Sequence, residues 1–233
     1  MLTGLKQTDI EILKRMDDKD LVSYCKTNKA AKAVCDDQDF WKYKVFNGFD
    51  YVPSEVLARG KGVRKWSDYY IKLIKIGPKD LGSGIRYDKL DVVMVAIKKG
   101  ANVNGRILDE FQMPNRPLPY AASLGHLNIV KFLVENGADI HYNNDSPLTE
   151  AVNSGHLDTV KYLVGQGANI RVGNDYALSK ASSDGNLEMV KYLVQNGADI
   201  HADNDFAVRI AHNNKRQKVV DYLVSQGSRD PRN

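Results

Sequence analysis

Polar and apolar positions recur along the second half of the chain with a period of 30 residues. SLGHLNIVKFLVENGADI (123–140) is echoed by NSGHLDTVKYLVGQGANI (153–170), SDGNLEMVKYLVQNGADI (183–200) and a worn NNKRQKVVDYLVSQGSRD (213–230). A fixed period of this size marks stacked supersecondary units, none of which buries its apolar face alone. In one unit Leu148, Ala151 and Val152 fall at i, i+3 and i+4 and predict a short helix. Gly155 is suited to end it with a positive φ. Leu157, Val160, Leu163 and Val164 predict a second helix ending at Gly167. A small residue recurs in each first helix (Ala121, Ala151, Ala181, Ala211), where it lets neighbouring helices approach closely. Asp145, Asp175 and Asp205 recur just before the first helices and are expected to cap their free N–H groups. Pro147 sits just inside a helix start, as its fixed φ allows.

The pattern changes toward both ends of the array. Residues 89–104 fit the second helix of a further unit, with Leu90, Val92, Val93 and Ile97 apolar and Gly100 terminating, but its first helix, LGSGIRYD, is poorly written. Gly137, Gly167, Gly197 and Gly227 lie 30 apart, whereas Gly100 and Gly137 lie 37 apart. The finger over 105–117 is therefore longer, and it carries Phe111 and Met113. At the far end Lys215, Arg216, Gln217 and Lys218 make a polar unit of the kind that caps a stack.

No repeat extends before about residue 81. Residues 5–46 read as three short helices: Ile10 and Leu13 in the first, Leu21, Val22, Tyr24 and Cys25 in the second, Ala30, Ala33 and Val34 in the third. Phe40-Trp41 follow the acidic turn Asp36-Asp37. Between 47 and 80 lie a basic patch (Arg59, Lys61, Arg64, Lys65) and a segment with Trp66, Tyr69, Tyr70 and Ile74, expected to be a helix packed on the first repeat.

Composition narrows the function classes. With 42% apolar residues the chain is ordinary for a folded protein, and its longest apolar stretch is far too short to span a bilayer. The charged N-terminus lacks the apolar core of a signal peptide, so the expected location is cytoplasmic or nuclear, not secreted. Two cysteines ten apart, Cys25 and Cys35, with no CxxC, read as reduced thiols. The net charge of +4 is mild and forms no basic stripe on the repeats, which argues against a nucleic-acid partner. His126 and His156 share one repeat position without a second ligand at metal spacing, so they read as structural. Gly82-Ser83-Gly84 has no preceding strand and no following Gly-Lys-Ser/Thr, and no Ser or Cys sits in a nucleophile elbow. No catalytic, cofactor-binding or metal residue is assigned, and the chain is not expected to be an enzyme. Partners should be proteins, and the chain alone a monomer.

The units RPLPYAASLGHLNIVKFLVENGADI (116–140) and SPLTEAVNSGHLDTVKYLVGQGANI (146–170) resemble the ankyrin repeat, with small residue, Gly and apolar positions in register. The common ankyrin period is about 33, so the missing residues come from the finger between units and its tips should be clipped. Short units with an Asn-Asp finger look like the ankyrin arrays of giant amoebal viruses, which would place the protein in a host cell. The N-terminal segment resembles an F-box, carried by Leu13, Asp17, Asp20-Leu21, Lys29, Asp36-Asp37 and Trp41, and followed by the Trp-x-x-Tyr segment at Trp66–Tyr69. It departs from that family at the start, where Gln7-Thr8 stand near the usual Leu-Pro.

These resemblances imply an all-α fold: a three-helix F-box-like module (1–46), a helical linker (47–80) and a solenoid with short fingers (81–233) of about five units, the first and last atypical. They imply an adaptor whose F-box docks a Skp-type subunit of a cullin (SCF) ubiquitin ligase through Leu13, Leu21, Val22 and Trp41. Ankyrin partners meet the inner helix positions, here those that vary while the scaffold stays constant. At the ends of the first helices these are Ser123, Leu124, Asn153, Ser154, Ser183, Asp184, Asn213 and Asn214. One turn earlier they are Tyr120, Glu150, Lys180 and Arg209. Phe111 and Met113 on the long finger complete the expected target-binding set. The other reading is a stand-alone ankyrin scaffold or inhibitor whose N-terminal helices only cap the stack.

Overall fold

A computed structural model of the protein describes residues 17, 21–23, 25, 36, 72–108 and 114–232. Leu13, Trp41, Phe111, Met113 and the segment around Trp66 lie outside the described residues. Elsewhere the chain is a succession of helix pairs: α1 (Leu81–Arg86) with α2 (Leu90–Lys98), α3 (Pro117–Leu124) with α4 (Leu127–Glu135), α5 (Tyr142–Asn153) with α6 (Leu157–Gly165), α7 (Val172–Asp184) with α8 (Leu187–Gln195), and α9 (Ala202–Asn213) with α10 (Gln217–Ser225). The fold is all-α, interrupted among the described residues by one antiparallel pair of two-residue strands in the long finger. These are β1 (Ile107–Leu108) and β2 (Pro114–Asn115), with Ile107 opposite Asn115.

Two compact units divide the chain. One comprises Met1–Gly84 with Lys89–Ala101, the other Ile85–Asp88 with Asn102–Asn233. In the first, residues 21–23 and 25 are helical, with Leu21 buried and Val22 half-buried. Cys25 is disulfide-bonded, contrary to the reduced thiol expected from sequence. Spacing along a chain says nothing of the Cα separation that permits a disulfide, about 4.4–6.8 Å. A helix covers 72–75, and Leu73 is fully buried. Lys99 Nζ donates to the carbonyls of Ile74 and Ile76 at 2.8 and 2.9 Å, satisfying the open end of that helix. The poorly written segment before residue 87 does form a helix. Pro78 opens a 3-10 turn, Pro78–Asp80, and Asp80 Oδ2 accepts the N–H of Gly77 at 2.7 Å. Gly84 has a steric role, because a Cβ there would meet Cγ1 of Val92 at 3.0 Å on the buried face of α2.

In the second unit the apolar spacing read from sequence becomes the core. Leu118, Leu148, Leu178 and Val208 of the first helices are buried, as are Val130, Leu133, Val160, Leu163, Val190, Leu193, Val220 and Leu223 of the second. Ala121, Ala151, Ala181 and Ala211 are buried between successive first helices, where the closest packing between units lies. Gly125 ends α3 at φ 72° and Gly185 ends α7 at φ 80°, each in the left-handed conformation that spares glycine a steric penalty.

The fingers are clipped. Near the starts of α5, α7 and α9, Asn143–Asp145, Gly173–Asp175 and Asp203–Asp205 each place three consecutive residues in the left-handed region, with φ between 49° and 62°, so a kink falls there and each first helix proper begins after its aspartate. Only Gly, Asn and Asp visit that region at low cost, which explains Asn-Asn-Asp, Gly-Asn-Asp and Asp-Asn-Asp at the tips. No strand pair forms at these three fingers.

The recurring aspartates do not do what their place before a helix predicts. The Oδ1 of Asp145 accepts the backbone N–H of Asn169 at 2.9 Å, and the Oδ1 of Asp175 accepts that of Asp199 at 2.8 Å. Both bonds leave their own unit for the next. Asn104 does the same upstream, taking the N–H of Asp139 at 2.8 Å. The left-handed run carries each carboxylate past its own helix and turns it toward the neighbouring finger. There Asp139, Asn169 and Asp199 close Asx turns on the N–H groups of His141, Arg171 and His201.

Candidate partner-binding face

The first helices α3, α5, α7 and α9 set four residues from successive units into rows. One row is Arg116, Ser146, Tyr176 and Phe206; the next is Tyr120, Glu150, Lys180 and Ile210; then come Ser123, Asn153, Ser183 and Asn213, and Leu124, Ser154, Asp184 and Asn214. Arg209, expected in the second row, stands one residue before it, and half-buried Ile210 holds that register.

One concavity lies between the described residues of the long finger and the α3/α5 pair. It encloses about 390 Å³. Tyr120 and Ser123 of α3 and Glu150 of α5 line it, so three expected residues are brought together. Arg106, Asn115, Arg116, Pro119, Tyr142 and Ser146 complete the lining. The guanidinium of Arg116 lies 4.8 Å from the centroid of the Tyr142 ring, and its Nη1 donates to the carbonyl of Asn104. Arg86 Nη1 donates to the Tyr120 hydroxyl at 3.1 Å, and Ser123 Oγ to the carbonyl of Tyr120 at 2.9 Å. Arg106 is exposed, while Tyr120, Ser123 and Glu150 are half-buried.

The other expected positions among the described residues do not line this cavity. Lys180 Nζ bonds both carboxylate oxygens of Asp184 at 2.8 Å, so the two engage each other. Asn153 Oδ1 accepts the hydroxyl of Tyr176 at 2.7 Å, and Asn214 Nδ2 donates to Ser183 Oγ at 2.8 Å. Arg209 folds back on its own finger, donating to the carbonyls of Asp203 and Asn204 with its guanidinium 5.5 Å from the Phe206 ring. Together with Asn213 it lines a second concavity, of about 480 Å³, against the segment Arg229–Pro231. Ser154 is exposed and Leu124 half-buried.

Sequence reasoning missed the exposed aromatics Tyr176 (39%) and Phe206 (36%), and the arginines of the cavity. Stepping 30 residues from Arg116 reaches Ser146, Tyr176 and Phe206, so the repeat alignment carried the signal.

The outer helices are built for packing. Lys131 Nζ lies 5.8 Å from the centroid of the Tyr162 ring and Lys161 Nζ 6.0 Å from that of Tyr192, linking successive second helices. Burial, followed by the Glu135 carboxylate, raises the Tyr162 phenol above its ordinary pKa, and burial alone raises that of Tyr192. His156 is structural: its Nε2 lies 3.1 Å from the carbonyl of Ser123 and its ring lies against Gly125. Arg216 takes the same place over Gly185. His141 and His201 each contact a buried carboxylate, Asp145 at 2.9 Å and Asp205 at 2.8 Å. Among the described residues no group of His, Cys, Asp or Glu could hold a metal ion, and no helix is long and apolar enough to cross a membrane.

Helix pairs in register, buried small residues between units and varied side chains along one face define a repeat array built for holding partners. The family model for ankyrin repeats (3 copies) matches residues 85–174 and 148–232, and the chain belongs to the ankyrin-repeat family. The model for the F-box domain matches residues 10–43. Both families are protein-interaction modules without catalytic groups. No curated protein matches the chain.

Proposed function

We propose that the protein is a substrate-recognition adaptor: the F-box segment docks a Skp-type subunit of a cullin-based ubiquitin ligase, and the ankyrin face holds the target. The observation that carries this reading is the occurrence of an F-box match and an ankyrin array in one chain. Such an adaptor contributes proximity and orientation, which are sufficient to accelerate a transfer performed by other subunits. The 30-residue period and Asn-Asp fingers support an origin among giant amoebal viruses, with the protein acting in the cytoplasm or nucleus of the host.

Co-expression of the full chain with a Skp-type subunit tests the reading. A stable complex on size exclusion is the expected result. Its absence, under conditions where an established F-box protein binds, sinks the proposal. Val22→Asp is the informative variant because Val22 is half-buried, whereas Leu21 is wholly buried and Leu21→Asp would read folding as well as docking.

A second reading, that the N-terminal helices only cap the stack, is favoured by the compact unit that joins Met1–Gly84 with Lys89–Ala101. Deleting residues 1–46 separates the two. Loss of solubility and of cooperative unfolding supports a cap, and a stable remnant supports a separable docking module.

A further inference from the structure

The cavity between the long finger and α3/α5 has a chemistry that narrows what the ankyrin face takes. Arg106 and Arg116 supply two guanidinium groups against one described carboxylate, Glu150. The finger's own acids, Asp109 and Glu110, lie outside the described residues. Arg116 is held in place from two sides, by the Tyr142 ring at 4.8 Å and by the Asn104 carbonyl. A guanidinium has five N–H donors, so a group anchored by one of them keeps others for a ligand. Fixing it beforehand removes the cost of ordering a long side chain on binding. A preorganised planar fork is suited to two-point recognition of a carboxylate. Arg106 has no hydrogen bond or ion pair among the described residues, and it is exposed in the lining of the same cavity. Ser123 and Ser146 add hydroxyls that can donate or accept, and Tyr120 and Tyr142 add aromatic surface.

We infer that this cavity binds an acidic peptide segment of the target protein, with Arg116 and Arg106 taking its carboxylates. The inference rests on the reading of the ankyrin face as the target-holding surface and names the chemistry of that target. Glu150 opposes the arrangement and so tunes affinity downward, which supplies a variant expected to gain binding.

Fluorescence anisotropy with the full chain and three labelled eight-residue peptides, alternating Ser with Glu, Gln or Lys, tests the inference. The Glu peptide is expected to bind, and to weaken as salt is raised. Arg106→Glu should weaken it by about tenfold or more, the scale of one charge-assisted contact. Glu150→Gln should tighten it, a gain that misfolding cannot mimic. Lys218→Glu, on the basic patch of the last unit, should leave it unchanged. Equal binding of the Gln peptide, equal loss in the Lys218 and Arg106 variants, or binding by none of the three peptides would overturn the inference. The Skp-type complex is read independently, so failure here leaves the adaptor reading standing or falling on its own test.

Discussion

The carboxylate of Asp145 accepts the backbone N–H of Asn169 at 2.9 Å, a bond that crosses from one repeat unit to the next. Asp175 and Asp199 repeat it at 2.8 Å. Asp205 occupies the same buried position, and among the described residues its carboxylate keeps only its partner His201, at 2.8 Å. In a quasi-one-dimensional array, stability is the sum of unit and neighbour terms. These bonds belong to the neighbour term.

Asp175→Ala should therefore cost about 2 kcal/mol, because it orphans an N–H at the unit boundary. Asp205→Ala, lacking that bond, should cost clearly less. Urea unfolding of the two variants measures the difference. Equal losses would show that the inter-unit bond contributes nothing.

Two buried hydroxyls, Ser182 Oγ and Ser228 Oγ, lack a hydrogen-bond partner among the described residues. At the position of Ser228 the earlier units have Ala138, Ala168 and Ala198. Ser228→Ala and Ser182→Ala should each stabilise the protein, by about 0.5–1 kcal/mol, since an unpaired buried polar group carries its full desolvation penalty. A lower melting temperature in either variant would refute this.

Gly125 and Gly155 hold corresponding positions with φ near 72° and 77°. A Cβ on Gly125 would lie 2.5 Å from His156 Nδ1, while one on Gly155 would meet nothing within 4 Å. Gly155→Ala should cost only the left-handed backbone penalty, about 1–2 kcal/mol. Gly125→Ala should cost more, and His156→Ala in the same chain should return part of the excess. Chemical denaturation of the double-mutant cycle gives the coupling.

Raised phenol pKa values at Tyr162 and Tyr192 mean that the folded state holds those protons more tightly than the unfolded state. Their contribution to stability is fully present below the ordinary tyrosine range and is lost as pH rises through the folded values. Tyr162→Phe should flatten the alkaline side of the stability profile, followed by thermal unfolding between about pH 8 and 11. An unchanged alkaline slope would show that Tyr162 is not part of it.

Part of the candidate cavity is legible in the sequence because repeats convert position into register. Tyr120, Ser123 and Glu150 emerge from one alignment, and they do meet in the cavity. Arg116 escapes sequence reasoning because it precedes the first apolar residue of its helix and looks like finger. Only in three dimensions does it lie over Tyr142, 26 residues later. Arg209 lies one residue before the register that Tyr120, Glu150 and Lys180 define, and the half-buried Ile210 occupies it. The aspartates read as helix caps since local sequence shows which residues come after an Asp, not where a left-handed turn sends its side chain.

The sequence by itself determined the repeat, the helix pairs, their glycine ends and the clipped fingers. Each depends on interactions within a few residues: the 3.6-residue period, and the few residue types that tolerate positive φ. Tertiary structure alone decided which carboxylate meets which neighbouring amide, which side chains stay exposed, and that Arg116 and Glu150 share one cavity. Those relations join residues about one repeat apart, and only the stacking of units fixes the distance between them.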